Sequence, residues 1–219
     1  MKPLLLIIST ILFFSCTNHK VKNFVTNETL TGNIKAVYDS FYSVDNVINA
    51  TQRKICQQAV YHFDKNGKEL TAFLILNIDS QSAYKTIYEF DNNGKPVKSE
   101  MLNRSGSAVI NTFFKYNKNG TLIEKDDSFV SLKNKSITKY LQDARGNIIE
   151  INDSQNGETR YRYNANDFLV TAINSAISVD TTIYKYEDLD RWGNWRKRID
   201  YQNSEKSPSA IDIRLIEYY

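Results

Sequence analysis

The chain has 219 residues, 24% of them charged and 12% aromatic, with 28 Lys and Arg against 25 Asp and Glu. The net charge of +3 falls to +2 once Lys2, the one charge in residues 1–15, is set aside; that is too little to drive binding to nucleic acid or to an anionic membrane surface. With two Cys and two His there is no disulfide framework and no Cys/His metal cluster, and neither a phosphate-binding glycine loop nor a serine-nucleophile elbow occurs, so no metal or cofactor is expected.

Residues 1–15 read as a secretory signal peptide. Lys2 is a short basic start, and 4–14 is an apolar run broken only by Ser9 and Thr10. The run is too short to span a bilayer, which takes about 20 residues. Phe13-Phe14-Ser15-Cys16 resembles the lipobox of bacterial lipoproteins, with bulkier residues at 13 and 14 than that pattern usually carries. The resemblance implies cleavage before Cys16 and acylation of that residue; at roughly 0.8 kcal/mol per buried methylene, two or three acyl chains make a stable anchor. The alternative is a general secretory signal that happens to contain a Cys. Residues 16–33 carry few apolar side chains and are expected to form a lipidated tether. No acidic run follows Cys16, which favours the periplasmic side of the outer membrane.

From residue 34 onward one phrase recurs. Tyr88-Glu89-Phe90-Asp91-Asn92-Asn93-Gly94 is its clearest copy, matched by Tyr61-His62-Phe63-Asp64-Lys65-Asn66-Gly67 and Phe114-Lys115-Tyr116-Asn117-Lys118-Asn119-Gly120. Asp143 to Asn147, Tyr161 to Asn164 and Asp190 to Asn194 are looser copies. The Asp/Asn positions 64, 91, 117 and 143 are about 26 residues apart, and such a fixed period is the mark of a repeat architecture. In a strand, the two aromatics of each copy share one face and the residue between them takes the other. That in-between residue is His62, Glu89, Lys115, Lys139, Arg162, Lys185 or Glu217, so one face is aromatic and the opposite one solvated. Asp or Asn followed by Gly then supplies turn chemistry.

Strands are predicted over 34–44, 53–63, 69–78, 83–90, 96–102, 108–116, 121–127, 136–142, 147–153, 158–163, 168–174, 181–187, 194–201 and 211–218, where Val, Ile, Thr, Tyr and Phe dominate. One turn of helix is expected within 44–52. The fold class is all-β: a single domain over 34–219, an antiparallel meander of about 13 strands built from hairpin repeats. A sheet of that size with one aromatic face must curl on itself or close into a barrel. The rings are expected to fill the interior and the ionised groups to lie outside. An outer-membrane barrel is disfavoured, because charges recur at almost every second position of the strands.

Asp143-Ala144-Arg145-Gly146-Asn147 and Asp190-Arg191-Trp192-Gly193-Asn194 resemble YD repeats of the RHS type, and the region from 34 onward is similar to small repeat-bearing lipoproteins of Bacteroidota. The resemblance implies a β-hairpin architecture and no activity. Most copies here carry Lys or Thr after the Gly where the family pattern has Asn.

Candidate chemistry is sparse. Asp126-Asp127 should point to opposite faces of a strand, and Asp190 belongs to a turn, so neither Asp126-Asp127 nor Asp188 with Asp190 makes an acid pair. Cys56 sits in a predicted strand and reads as a small core residue; His19 falls in the tether and His62 on the solvated face, so it has no partner base. Trp195 aligns with apolar Leu122 and Ile148 and should fill the core. Trp192, in a turn beside Arg191, is the candidate contact residue for a sugar or peptide. The expected role is non-catalytic: a lipid-anchored envelope module binding a protein or glycan, with contact to the membrane through Cys16 and no nucleic acid. The alternatives are a periplasmic carrier of an apolar ligand held inside the curled sheet, and a two-carboxylate glycan hydrolase.

Overall fold

The computed structural model describes residues 20–22, 28–44, 53–76, 82–175 and 178–219. Two short strands, β1 (Lys20–Lys22) and β2 (Thr29–Thr31), pair with each other. Fourteen further strands follow: β3 (Ile34–Val44), β4 (Arg53–Phe63), β5 (Glu69–Leu76), β6 (Ser82–Phe90), β7 (Pro96–Leu102), β8 (Ala108–Tyr116), β9 (Leu122–Phe129), β10 (Asn134–Gln142), β11 (Ile148–Asp153), β12 (Gly157–Tyr163), β13 (Leu169–Asn174), β14 (Asp180–Leu189), β15 (Trp195–Gln202) and β16 (Ala210–Tyr218). Each pairs antiparallel with its neighbours in sequence, and β16 pairs with β3, so the meander closes into a barrel. The expected strands are present to within a few residues, and the curling forced by one buried face is complete closure, which leaves the fourteen-strand sheet without an open edge. Of the expected helical turn, 45–52 lies outside the described residues.

The repeat builds one kind of turn. At Asp91, the backbone N–H bonds to the Lys95 carbonyl, the Gly94 N–H returns to the Asp91 carbonyl, and the carboxylate accepts from the N–H groups of Asn93 and Lys95. The same set recurs at Asp64, Asn117, Asp143, Asn164 and Asp190. These turns gather at one end of the barrel. A copy at Asn103 serves the other end. The fourth residue needs a left-handed backbone; Gly supplies it in every copy except the one at Asn164, where Asp167 adopts φ 62°. Adjacent repeats are then fastened by ring hydroxyls: Tyr116 donates to the Pro96 carbonyl, Tyr163 to that of Ile148 and Tyr186 to that of Leu169.

The interior is only half aromatic. Near the turn end Tyr61, Phe63 and Trp195 are buried with Leu30, Ile34 and Val37. Further along the same inward positions, buried Asp39, Ser99, Thr112, Ser136, Thr138, Asp200, Asp212 and Arg214 replace them. The expectation that ionised groups lie outside is therefore corrected. A fourteen-strand barrel encloses more room than its rings fill, and the remaining inward positions hold polar groups that satisfy one another. Thr112 donates to Asp127, and Ser136 and Thr138 both donate to Asp153. The outer wall carries many of the expected ionised groups, joined in pairs such as Lys98 with Glu89 and Glu100, and Arg160 with Glu150 and Glu158.

The last part of the expected tether is built into the fold. Leu30 is 2% exposed within the core formed by Val37, Ala59, Tyr61 and Phe63. Thr31 exchanges hydrogen bonds with the side-chain amide of Asn194, which mimics a strand partner. Gly32, at φ +110°, lies so close to Tyr218 that an added Cβ would sit 2.8 Å from its ring. This contrast is testable. Gly94→Ala places its Cβ in open space and carries only left-handed strain, about 1–2 kcal/mol. Gly32→Ala adds overpacking of about 1–3 kcal/mol on top. Urea unfolding of the two variants is expected to rank Gly32→Ala as clearly the less stable.

Candidate binding site in the barrel lumen

Asp39 and Arg214 stand opposite each other across the pairing of β3 with β16. Both are inward positions of their strands. Their ion pair is two-pronged, Nε to Oδ1 at 2.7 Å and Nη2 to Oδ2 at 2.7 Å. Arg214 Nη2 also lies 2.8 Å from Oε2 of Glu28, which enters from the segment preceding β3. The guanidinium stacks on Trp195, 3.6 Å from the ring centroid. Trp195 Nε1 in turn donates to Glu28 at 3.3 Å. One turn-end tryptophan thus aligns a cation that holds the first strand, the last strand and the leading segment together.

A second pair lies beside the first. Arg198 of β15 contacts Asp200 at 2.8 Å and Asp212 at 3.5 Å, and faces the ring of Tyr184 at 4.9 Å. Burial works to raise the Glu28 carboxyl, but Arg214 and Arg198 outweigh it and hold it below its ordinary value. The balance is reversed at Asp212: burial first, and then the charge of Asp39, push it up to about 7 against the pull of Arg198 and Arg214. Burial likewise raises Asp200 in spite of Arg198.

These groups wall a chamber of about 280 Å³ lined by Asp39, Phe41, Gln57, Ala59, Tyr61, Arg198, Asp212 and Arg214. Two buried atoms of that wall, Arg214 Nη1 and Asp212 Oδ1, have no hydrogen-bond partner among the described residues. A second chamber of about 250 Å³ sits at the turn end between Glu28, Leu30, Tyr163, Phe168 and Trp195. A third, of about 180 Å³, lies among Leu74, Tyr88, Met101, Ile110 and Phe114. The polar chamber offers cationic donors and anionic acceptors side by side, with ring faces at Phe41 and Tyr61, and can orient a small polar molecule.

The candidates singled out in the sequence fall elsewhere. Cys16 and His19 lie outside the described residues, as does the side chain of Cys56; the backbone of Cys56 belongs to β4. His62 faces outward, edge-on to Phe73. Asp127 points inward to Thr112, and Asp126, its neighbour on the strand, is on the other face. Asp188 is exposed near Arg196, and Asp190 organises its turn. Trp195 is 2% exposed, in the core. Trp192 packs over Gly32 and against the Tyr218 ring at 6.2 Å, with Arg191 above it. It covers the entry of the leading segment rather than lining the polar chamber. Sequence reasoning passed over Glu28, Asp39, Arg198, Asp200, Asp212 and Arg214. A signal existed: in β16, Asp212 and Arg214 alternate with Ile213 and Leu215, and of these four the two charged residues are the buried ones.

No protein-family model and no curated protein matches the chain. Among solved structures it is similar to a porin-like protein from Bacteroides uniformis, with a TM-score of 0.52 and 11% identity, covering 86% of this chain and 99% of that one. The two share a fold. The Photorhabdus luminescens Tc holotoxin pore aligns with a TM-score of 0.34 and 16% identity over 78% of this chain and 9% of that one, too low a score for any shared architecture to be argued.

The raised Asp212 predicts a pH dependence. Between about pH 4 and pH 7 the folded chain holds this proton and the unfolded chain releases it, so the stability it contributes is complete at low pH and is lost as pH rises through 7. Between pH 5 and pH 8 the loss is about 2–3 kcal/mol. Asp212→Asn is expected to remove that slope, read as the difference between wild type and variant in urea unfolding at the two pH values.

Proposed function

We propose that the protein is a lipid-anchored barrel of the bacterial envelope, held to the outer membrane through Cys16 and facing the periplasm, whose lumen binds a small polar molecule. The observation that carries this reading is the polar chamber: Asp39, Gln57, Arg198, Asp212 and Arg214 wall a luminal space of about 280 Å³. The role is binding rather than catalysis, because the ionised groups around the chamber are held in ion pairs with one another.

The outer wall supports anchoring by acyl chains over insertion of the barrel itself. Lys139, Arg160 and Lys185 lie mid-strand on outward positions and are exposed. In a bilayer-spanning wall each such Lys or Arg costs about 2–4 kcal/mol at the midplane. A carrier of an apolar ligand is less well supported: the most apolar of the three chambers holds about 180 Å³ and is bordered by Lys125 and Asp127, and sites for drug-sized molecules usually begin near ~300 Å³.

Cys16→Ala tests the anchor. Wild type expressed in a bacterial host is expected to incorporate labelled palmitate and to sediment with membranes. The variant should lose the label and leave the membrane fraction, and equal labelling of the two would refute acylation at Cys16.

A further inference from the structure

The outer wall is not uniform. Leu215, Tyr38, Val60 and Phe73 stand opposite one another in a row across β16, β3, β4 and β5. Each is a chain neighbour of buried residues: Arg214, Val37 and Asp39, Ala59 and Tyr61, and Ala72. Successive side chains of a strand take opposite faces, so the four side chains of the row point outward. Leu215 is 55% exposed and Phe73 37%. The next row, further from the turn end, runs through Ile213, Ser40, Gln58 and Ile75, and beyond it Ile211 pairs with Tyr42. None of these side chains is ionised. Charges return only at the borders: Lys35 with Glu217 at the turn end, Lys197 on the β15 flank and Lys85 on the β6 flank.

The opposite wall differs. There the row across β9, β10, β11 and β12 is Glu124, Lys139, Asn152 and Glu158, and the row beside it carries Glu150 and Arg160. An apolar area that spans four neighbouring strands on one side of a barrel is a contact surface rather than ordinary scatter.

The leading segment indicates what covers it. Lys20 pairs with Thr31, Thr31 is bonded to Asn194, and Gly32 packs on Tyr218 of β16. The chain therefore enters the fold at the turn end of the strands that carry the apolar rows. Four residue steps join Cys16 to Lys20, a reach of at most about 14 Å when fully extended. An acylated Cys16 seated in a leaflet thus holds this side of the barrel close to the bilayer. Aliphatic and Phe side chains, interspersed with tyrosines and bordered by lysines, suit the boundary between headgroups and acyl chains.

We propose that the outer face of β16, β3, β4 and β5 lies on the membrane that holds the Cys16 acyl chains, so that the barrel rests on the side where its two ends meet and turns its charged wall to the water. This rests on the acyl-anchor reading above and adds the surface that meets the lipid. The barrel does not insert: Lys139, Arg160 and Lys185 stay solvated.

The test uses the full mature chain, acylated in a bacterial host and reconstituted on vesicles of phosphatidylethanolamine and phosphatidylglycerol. Hydroxyl-radical footprinting read by mass spectrometry compares it with the Cys16→Ala chain free in solution. Labelling of Tyr38, Phe73 and Leu215 is expected to fall severalfold on the vesicles, while Ile137 and Leu141, exposed on the opposite wall, label as in solution. An acylated variant carrying Leu215→Glu and Phe73→Glu should still float with the vesicles but regain the solution labelling of Tyr38. The wild-type comparison decides the matter by itself should that variant fail to fold. Acylated, vesicle-bound protein whose Tyr38, Phe73 and Leu215 label as freely as in solution would overturn the docking face and leave the anchor standing. Equal protection of both walls would mean insertion and would also overturn it. A Cys16→Ala chain that is dimeric in ultracentrifugation, with Tyr38 labelled only on dilution, would assign the face to a second copy instead. An intact mass without acyl chains on Cys16 would overturn the anchor and the docking together.

Discussion

The contact on which this fold depends is the meeting of its two ends. Every other strand pairs with a neighbour in sequence, and such local pairings form at small loop-closure cost. The pairing of β16 with β3 brings together residues such as Arg214 and Asp39, 175 positions apart. Without it the meander would end in two open edges, each a template for unwanted pairing. The ion pair across this seam is inside the barrel, doubly hydrogen-bonded and backed by Trp195. Buried pairs of this kind add little net stability against an apolar replacement, but losing one partner costs about 3–5 kcal/mol, so they penalise mispaired registers. Glu28 extends the same logic to the leading segment, which can dock only when the seam is closed in register.

Much of the strand plan was legible in the sequence because it is local. Tyr88, Glu89 and Phe90 declare the two faces of a strand, and Asp91 with Gly94 declares the turn, with hydrogen bonds that need only five consecutive residues. Copying that unit along the chain predicts a meander and a curled sheet. The polar half of the lumen was not legible in the same way. Inwardness at Asp39, Asp200, Asp212 and Arg214 follows from strand parity, but burying a charge is costly, and a reader of composition assigns charges to water. What makes them tolerable is their partners, and those partners come from distant strands. Leu30 and Thr31 were read as tether for a related reason: their partners, Tyr61 and Asn194, are far away in the chain.

The repeat and the lumen divide the work. Turns, ring hydroxyls and outer ion pairs build the wall, and they recur. The lumen groups do not recur: the two arginines and their carboxylates cluster in β15, β16 and β3, with Glu28 reaching in from the preceding segment. That asymmetry inside a repetitive shell places the polar chamber against the seam. Under the proposed luminal binding, a ligand in the chamber would touch the residues that close the barrel, and its occupancy would favour closure by mass action.

Hydrogen exchange of the β16 amides, read residue by residue by NMR, tests closure most directly. A barrel sealed by the pairing of Ala210–Tyr218 with β3 predicts slow exchange at the β3-facing amides along the whole strand, as well as at the β15-facing amides within Ala210–Ile213. Alternating fast exchange, with every amide that faces β3 behaving as an open edge, would contradict it.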